Sequence, residues 1–136
     1  MRAYFAESAG SAAKFMARAD GPRVGAIAFD GWDTHTNEGA MNGRLAALLG
    51  ALDGAIAAIE TGMGPAWHDT VVAVVTEFGC TARINGSDGT DHGTGTIALL
   101  VGGAVKGRLA QGNRSAREAR SERNHRPARC AQGRAA

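Results

Sequence analysis

Leucine and isoleucine recur at Leu45, Leu48, Leu49, Leu52, Ile56 and Ile59. These positions fall at i, i+3, i+4, i+7, i+11 and i+14, one face of a helix, and predict an amphipathic helix over residues 42–61. The apolar runs around it are too short for helices. Val24–Phe29, Thr70–Thr76 and Ile97–Val101 are of strand length and apolar almost throughout. The first of these, without alternation, suits a strand buried on both faces, as in a parallel sheet. A second helix is predicted over residues 3–18, with Phe5, Ala12, Phe15 and Met16 inward. Asp20-Gly21-Pro22 stops it, and Thr61 to Pro65 stops the later one. The order helix, strand, helix, strand, long loop, strand predicts an α/β fold. The irregular connection between the last two strands, about twenty residues, is of a length that often carries function.

At 136 residues the chain holds one modest core, as one domain or part of one. Only 5% of it is aromatic, while Ala and Gly are abundant, so the helices are expected to pack closely. Gly43, Gly50 and Gly54 each weaken the longer helix by about 1 kcal/mol relative to Ala. No apolar run approaches the roughly 20 residues that cross a bilayer, and no signal peptide is visible. Cys80 and Cys130 form no metal-type pair.

The net charge of +2 hides two unlike parts. Residues 1–107 hold seven Lys+Arg against eleven Asp+Glu; residues 108–136 hold eight Arg against two Glu. A basic tail on an acidic body ordinarily suggests a nucleic-acid partner, but the acidic body lacks a stacking platform and argues against one. The tail has no apolar periodicity and is rich in Arg and Ala. Such composition arises when GC-rich DNA is read out of frame. Codons for Ser121 to Gly133, read one base later, can encode a Thr-Thr-Asp cap followed by a helical pattern. The expected organisation is a body over residues 1–107 and an out-of-frame, disordered basic tail over 108–136.

Three clusters at strand ends carry the chemistry. Asp30-Gly31-Trp32-Asp33-Thr34-His35 follows the first apolar run, Glu77 ends the central one, and Asp91-His92-Gly93 precedes the last. A first-row divalent ion takes nitrogen and oxygen donors that can turn inward together. In an extended segment, residues two apart share a side, so Asp33 and His35 can share an ion, with Asp30 a further carboxylate. In open α/β sheets, ligands bind beyond the carboxyl ends of strands, where these loops could meet. Each cluster also has a plainer use. Thr34, Thr36 or Asn37 can cap a helix, Glu77 can pair with Arg83, and Asn85-Gly86 and Asp88-Gly89 are turn sequences. His68 reads as a surface residue. Ser8, Ser11 and Ser87 lie in no nucleophile elbow, so no catalytic side chain is assigned.

Phe29 to Asn37, Val71 to Gly79, Thr81 to Gly86 and Gly89 to Gly95 together resemble the signature stretches of the domain of unknown function 1501 family. The resemblance runs from about Ala3 to Lys106. These proteins are similar to the alkaline phosphatase and sulfatase superfamily and often carry a twin-arginine export signal. The resemblance implies a partial alkaline-phosphatase-like, doubly wound sheet. It implies a divalent metal, zinc by analogy, held by Asp33 (or Asp30), His35 and His92. Glu77 would stand toward a second metal, and Asp91 would assist. Phe78 stands where alkaline phosphatases place a histidine, and Cys80 where the family usually has arginine. The family's domain is several times longer, so the chain corresponds to its C-terminal piece. The implied parent is a metal-dependent hydrolase of phosphate or sulfate esters, exported to the periplasm, and this chain alone would be inactive. The alternative is a non-catalytic metal-binding protein of the cell envelope on the same fold.

Overall fold

The computed structural model describes residues 2–39 and 41–107. The expectations for the tail, including its reading frame, lie outside the described residues. Helix α1 spans Arg2–Met16 and helix α2 spans Arg44–Met63, a short 3-10 turn follows over Gly64–Asp69, and four strands come next. They are β1 (Val72–Val74), β2 (Gly79–Ile84), β3 (Thr90–Gly93) and β4 (Leu99–Val101).

The two helices form where the periodicity predicts them. Helix α2 starts after Gly43 and ends at Gly64, both with positive φ, so its limits are backbone-encoded rather than side-chain caps. Phe5, Ala9 and Ala13 of α1 are buried, as are Leu48, Ala51, Ala55 and Met63 of α2. Phe29, Trp32 and Ile59 pack against this core. Small residues set the close approach: a Cβ placed on Gly62 would stand 2.7 Å from the Ala13 Cβ. That approach corrects two expected core positions. Phe15 and Leu49 are exposed, because the seam runs along alanine and the larger side chains fall to its flanks.

The strand expectations need larger corrections. The described sheets are two-stranded and antiparallel, β1 with β4 and β2 with β3. A parallel pair needs a crossover lying on one face of its sheet. Here the connection from β1 to β4 is instead folded into the β2–β3 hairpin, so the expected irregular loop is ordered. With only one neighbour per strand, the apolar runs are not buried on both faces: Val75 and Ile97 are each 72% exposed. Val24–Phe29 forms no strand, and Phe29 stacks on Phe5 at 4.1 Å between ring centres. The described architecture is thus mixed helix and small antiparallel sheets rather than a doubly wound sheet.

One further expectation changes. By length and composition, the helical segment Arg44–Asp69 is long and apolar enough to cross a membrane. Its Leu48, Ala51 and Ala55 are nevertheless used as core against α1. His68, in the 3-10 turn, is exposed beside Asp69.

Candidate metal centre

The segment after Phe29 has no regular secondary structure and meets the helical core through Trp32. Trp32 packs on that core and Thr34 is buried, while Asp33 between them and His35 after them are exposed. This alternation matches the two-residue period expected from the sequence. His92 reaches the same place from β3, where it pairs across the ladder with Cys80.

Asp33, His35 and His92 form a triad able to hold a metal ion, with one donor atom from each lying within 4.8 Å of the others. The convergence is on one atom. The His35 Nε2 lies 2.9 Å from Asp33 Oδ1, and the His92 Nε2 lies 3.2 Å from the same oxygen. His35 Nδ1 donates to the Thr90 carbonyl at 2.8 Å. In a neutral imidazole that bond places the remaining lone pair on Nε2, facing the other donors. A carbonyl holding the far nitrogen is the usual outer support of a metal-binding histidine. Two imidazoles and a carboxylate, about half exposed, are a donor set that fits a first-row divalent ion with room for a further ligand.

The other candidate ligands are not in the triad. Asp30 and Glu77 are exposed and stand outside it. Asp91 stands beside it, with Oδ1 3.8 Å from His35 Nδ1. Phe78 packs its ring on His92, with centroids 4.6 Å apart and planes 29° from parallel. Phe78 therefore braces one of the three donors.

The loop bearing Asp33 and His35 is stitched to the β2–β3 turn. Asn37 N–H donates to the Ser87 carbonyl and Glu38 N–H to that of Asp88. Gly89 is buried against the loop; a Cβ there would collide with the His35 backbone. Asn85 donates from Nδ2 to the His35 carbonyl at 3.0 Å and to Asp91 Oδ1 at 2.9 Å. Its Oδ1 accepts from the N–H groups of Ser87 and Gly89. Sequence reasoning gave Asn85 and Gly89 only turn roles. Asn-Gly and Asp-Gly do mark a turn, but a turn signal does not say which distant carbonyl lies against it. Thr90 adds one unsatisfied group: its buried hydroxyl has no hydrogen-bond partner.

A family model described as "Protein of unknown function (DUF1501)" matches residues 5–127. No curated protein and no solved structure matches the chain.

Proposed function

The chain belongs to the DUF1501 family, and from that premise we propose that it carries the metal-binding part of a phosphate- or sulfate-ester hydrolase-like protein. The observation that supports this is the convergence of two imidazole nitrogens on Asp33 Oδ1, with the His35 ring already held by the Thr90 carbonyl. A divalent ion bound there would supply Lewis acidity to an ester oxygen and a bound water. Asp33 contributes the negative charge, and His35 and His92 contribute neutral nitrogen donors. Phe78 and the Thr90 carbonyl hold the two rings in place. A single ion suits this arrangement, because Phe78 and the exposed Glu77 offer no second clustered donor set.

Ester hydrolysis through a covalent intermediate also needs a side-chain nucleophile, and none stands out in this sequence. The catalytic activity is therefore assigned to a longer protein, and the 136-residue chain is expected to bind metal without turnover. The proposal extends to the tail, read as out-of-frame from Arg108. The family match reaching residue 127 weighs against that part, and sequencing the coding DNA decides it.

The test is zinc titration of the purified chain by calorimetry. One zinc per chain is expected, lost in both His92→Ala and Asp33→Asn. A wild-type chain that takes up no zinc overturns the metal reading. Turnover of a phosphomonoester or sulfate ester that disappears in His92→Ala overturns the inactivity of the chain alone.

A further inference from the structure

We infer that Asn85 is the positioning residue of the triad, through a carboxamide that joins the two halves of the site; this rests on the metal reading above. The three donors come from two separate pieces of chain. Asp33 and His35 lie on the loop after Phe29, and His92 lies on the hairpin strand β3. Nothing in the covalent chain holds those pieces in register, since His35 and His92 are 57 positions apart. The α1–α2 core orders the loop from its Trp32 and Thr34 side but includes no residue of the hairpin.

Asn85 spans that gap with all its side-chain capacity. An amide offers two N–H donors and one carbonyl oxygen. The oxygen takes the N–H groups of Ser87 (2.9 Å) and Gly89 (3.1 Å) and so shapes the hairpin turn. The nitrogen reaches the His35 carbonyl across the gap and holds Asp91 Oδ1 on the near side. The turn so shaped presents the Thr90 carbonyl, two residues before His92, to His35 Nδ1. Gly89 makes the approach possible by having no side chain where the His35 backbone passes. The two ends of the carboxamide thus do separable jobs: the oxygen builds the turn, and the nitrogen docks it on the ligand loop.

Asn85→Asp separates them. It keeps the accepting oxygen that shapes the turn, removes both donors and sets a carboxylate against Asp91, so the link to His35 is lost. Outer-shell changes of this kind typically weaken metal binding by about ten- to a hundred-fold. Zinc affinity is measured by competition with a chromophoric chelator, and cobalt(II) alone is used as a spectroscopic probe of the donor set. Asn85→Asp is expected to lose about ten-fold or more in zinc affinity, to change the cobalt visible bands, and to keep the helical circular dichroism. Gly89→Ala, which pushes the His35 loop away and keeps the Asn85 side chain itself unchanged, is expected to do the same. Wild-type zinc affinity and cobalt bands in both variants overturn the inference and leave the metal site standing. Loss of helical signal in Asn85→Asp also overturns it, by making Asn85 a support of the whole fold. No zinc or cobalt binding by the wild-type chain overturns the metal reading, and this inference with it.

Discussion

The helical half and the strand half of this molecule are held together by different means. Helices α1 and α2 meet along a buried seam of Phe5, Ala9, Leu48, Ala51 and Ala55. The strand half contributes no residue to that core, and its apolar side chains at Val75, Ile84, Ile97 and Leu100 are largely exposed. Its order comes from hydrogen bonds: the ladders, the Asn85 carboxamide, and the contacts of Asn37 and Glu38 with the hairpin turn. Burial is non-directional and tolerates small shifts, whereas hydrogen bonds fix atoms to specific places. The triad sits where directional contacts dominate, next to a core that supplies stability. Two-stranded sheets are marginal by themselves in water, so the strand half depends on its polar links and on the helical platform.

The sharpest division between the halves is expected at Leu48, whose side chain is fully buried. Leu48→Ala should lower the stability of the fold by about 2–5 kcal/mol, the usual cost of truncating a core leucine. Leu49→Ala, one position along and half exposed, should cost far less. Thermal unfolding followed at a helical wavelength makes the comparison. Equal losses at the two positions would break the claim that one narrow seam carries the stability.

Phe78 tests the other half. Its ring lies on His92 but outside the helical core, so Phe78→Leu should act on metal binding more than on folding. A loss of roughly ten-fold in zinc affinity is expected, as for other groups that orient a ligand, with the unfolding midpoint nearly unchanged. Phe78→Tyr, which keeps the ring, should restore the affinity. If the midpoint falls and affinity holds, Phe78 belongs to the stabilising half after all.

The halves also differ in how far they can be read from sequence. Both helices are local objects, and the 3.6-residue period of Leu45, Leu48, Leu52, Ile56 and Ile59 marks α2 without knowledge of its partner. The burial of Ala51 and Ala55 in place of Leu49 is less visible, because seam depth depends on the Phe5 and Ala9 that cluster with them. Strand pairing is non-local. Thr70 to Thr76 announces a strand but not whether its neighbour runs parallel, nor how many neighbours it has. The same holds at the site. Asp33, His35 and His92 are recognisable by residue type and two-residue spacing, and the structure brings those three together. Asp30 and Glu77 are of equally suitable type and stand apart, since type alone carries no distance. Asn85 was hidden because a turn-forming asparagine and a bridging one look identical in sequence.

A smaller effect separates satisfied from unsatisfied polar groups within the strand half. The buried Thr90 hydroxyl lacks a partner, although the Thr90 carbonyl beside it holds His35. Removing an unpaired buried hydroxyl recovers part of a desolvation penalty of about 1–3 kcal/mol. Thr90→Val keeps the shape and the carbonyl, so it should raise stability by about 1 kcal/mol and leave zinc affinity unchanged. Denaturant unfolding measures the first and chelator competition the second. A loss of stability would mean that polar groups in this half are more completely satisfied than the contacts imply.

The finest contrast lies within α2 itself and uses two glycines of opposite surroundings. A Cβ on Gly54 would meet nothing within 4 Å, whereas one on Gly62 would press on Ala13 at 2.7 Å and on the Gly10 carbonyl at 3.0 Å. Both residues lie in the helix, where alanine is favoured over glycine by about 0.5–1 kcal/mol through backbone entropy. Gly54→Ala should therefore gain nearly all of that amount. Gly62→Ala starts from the same gain but must separate two closely packed helices, and overpacking of this kind costs about 1–3 kcal/mol. Opposite signs in matched denaturant curves are expected. Should both substitutions stabilise, the seam is looser than the Gly62–Ala13 approach indicates, and the helical half would owe its stability to helix propensity more than to close packing.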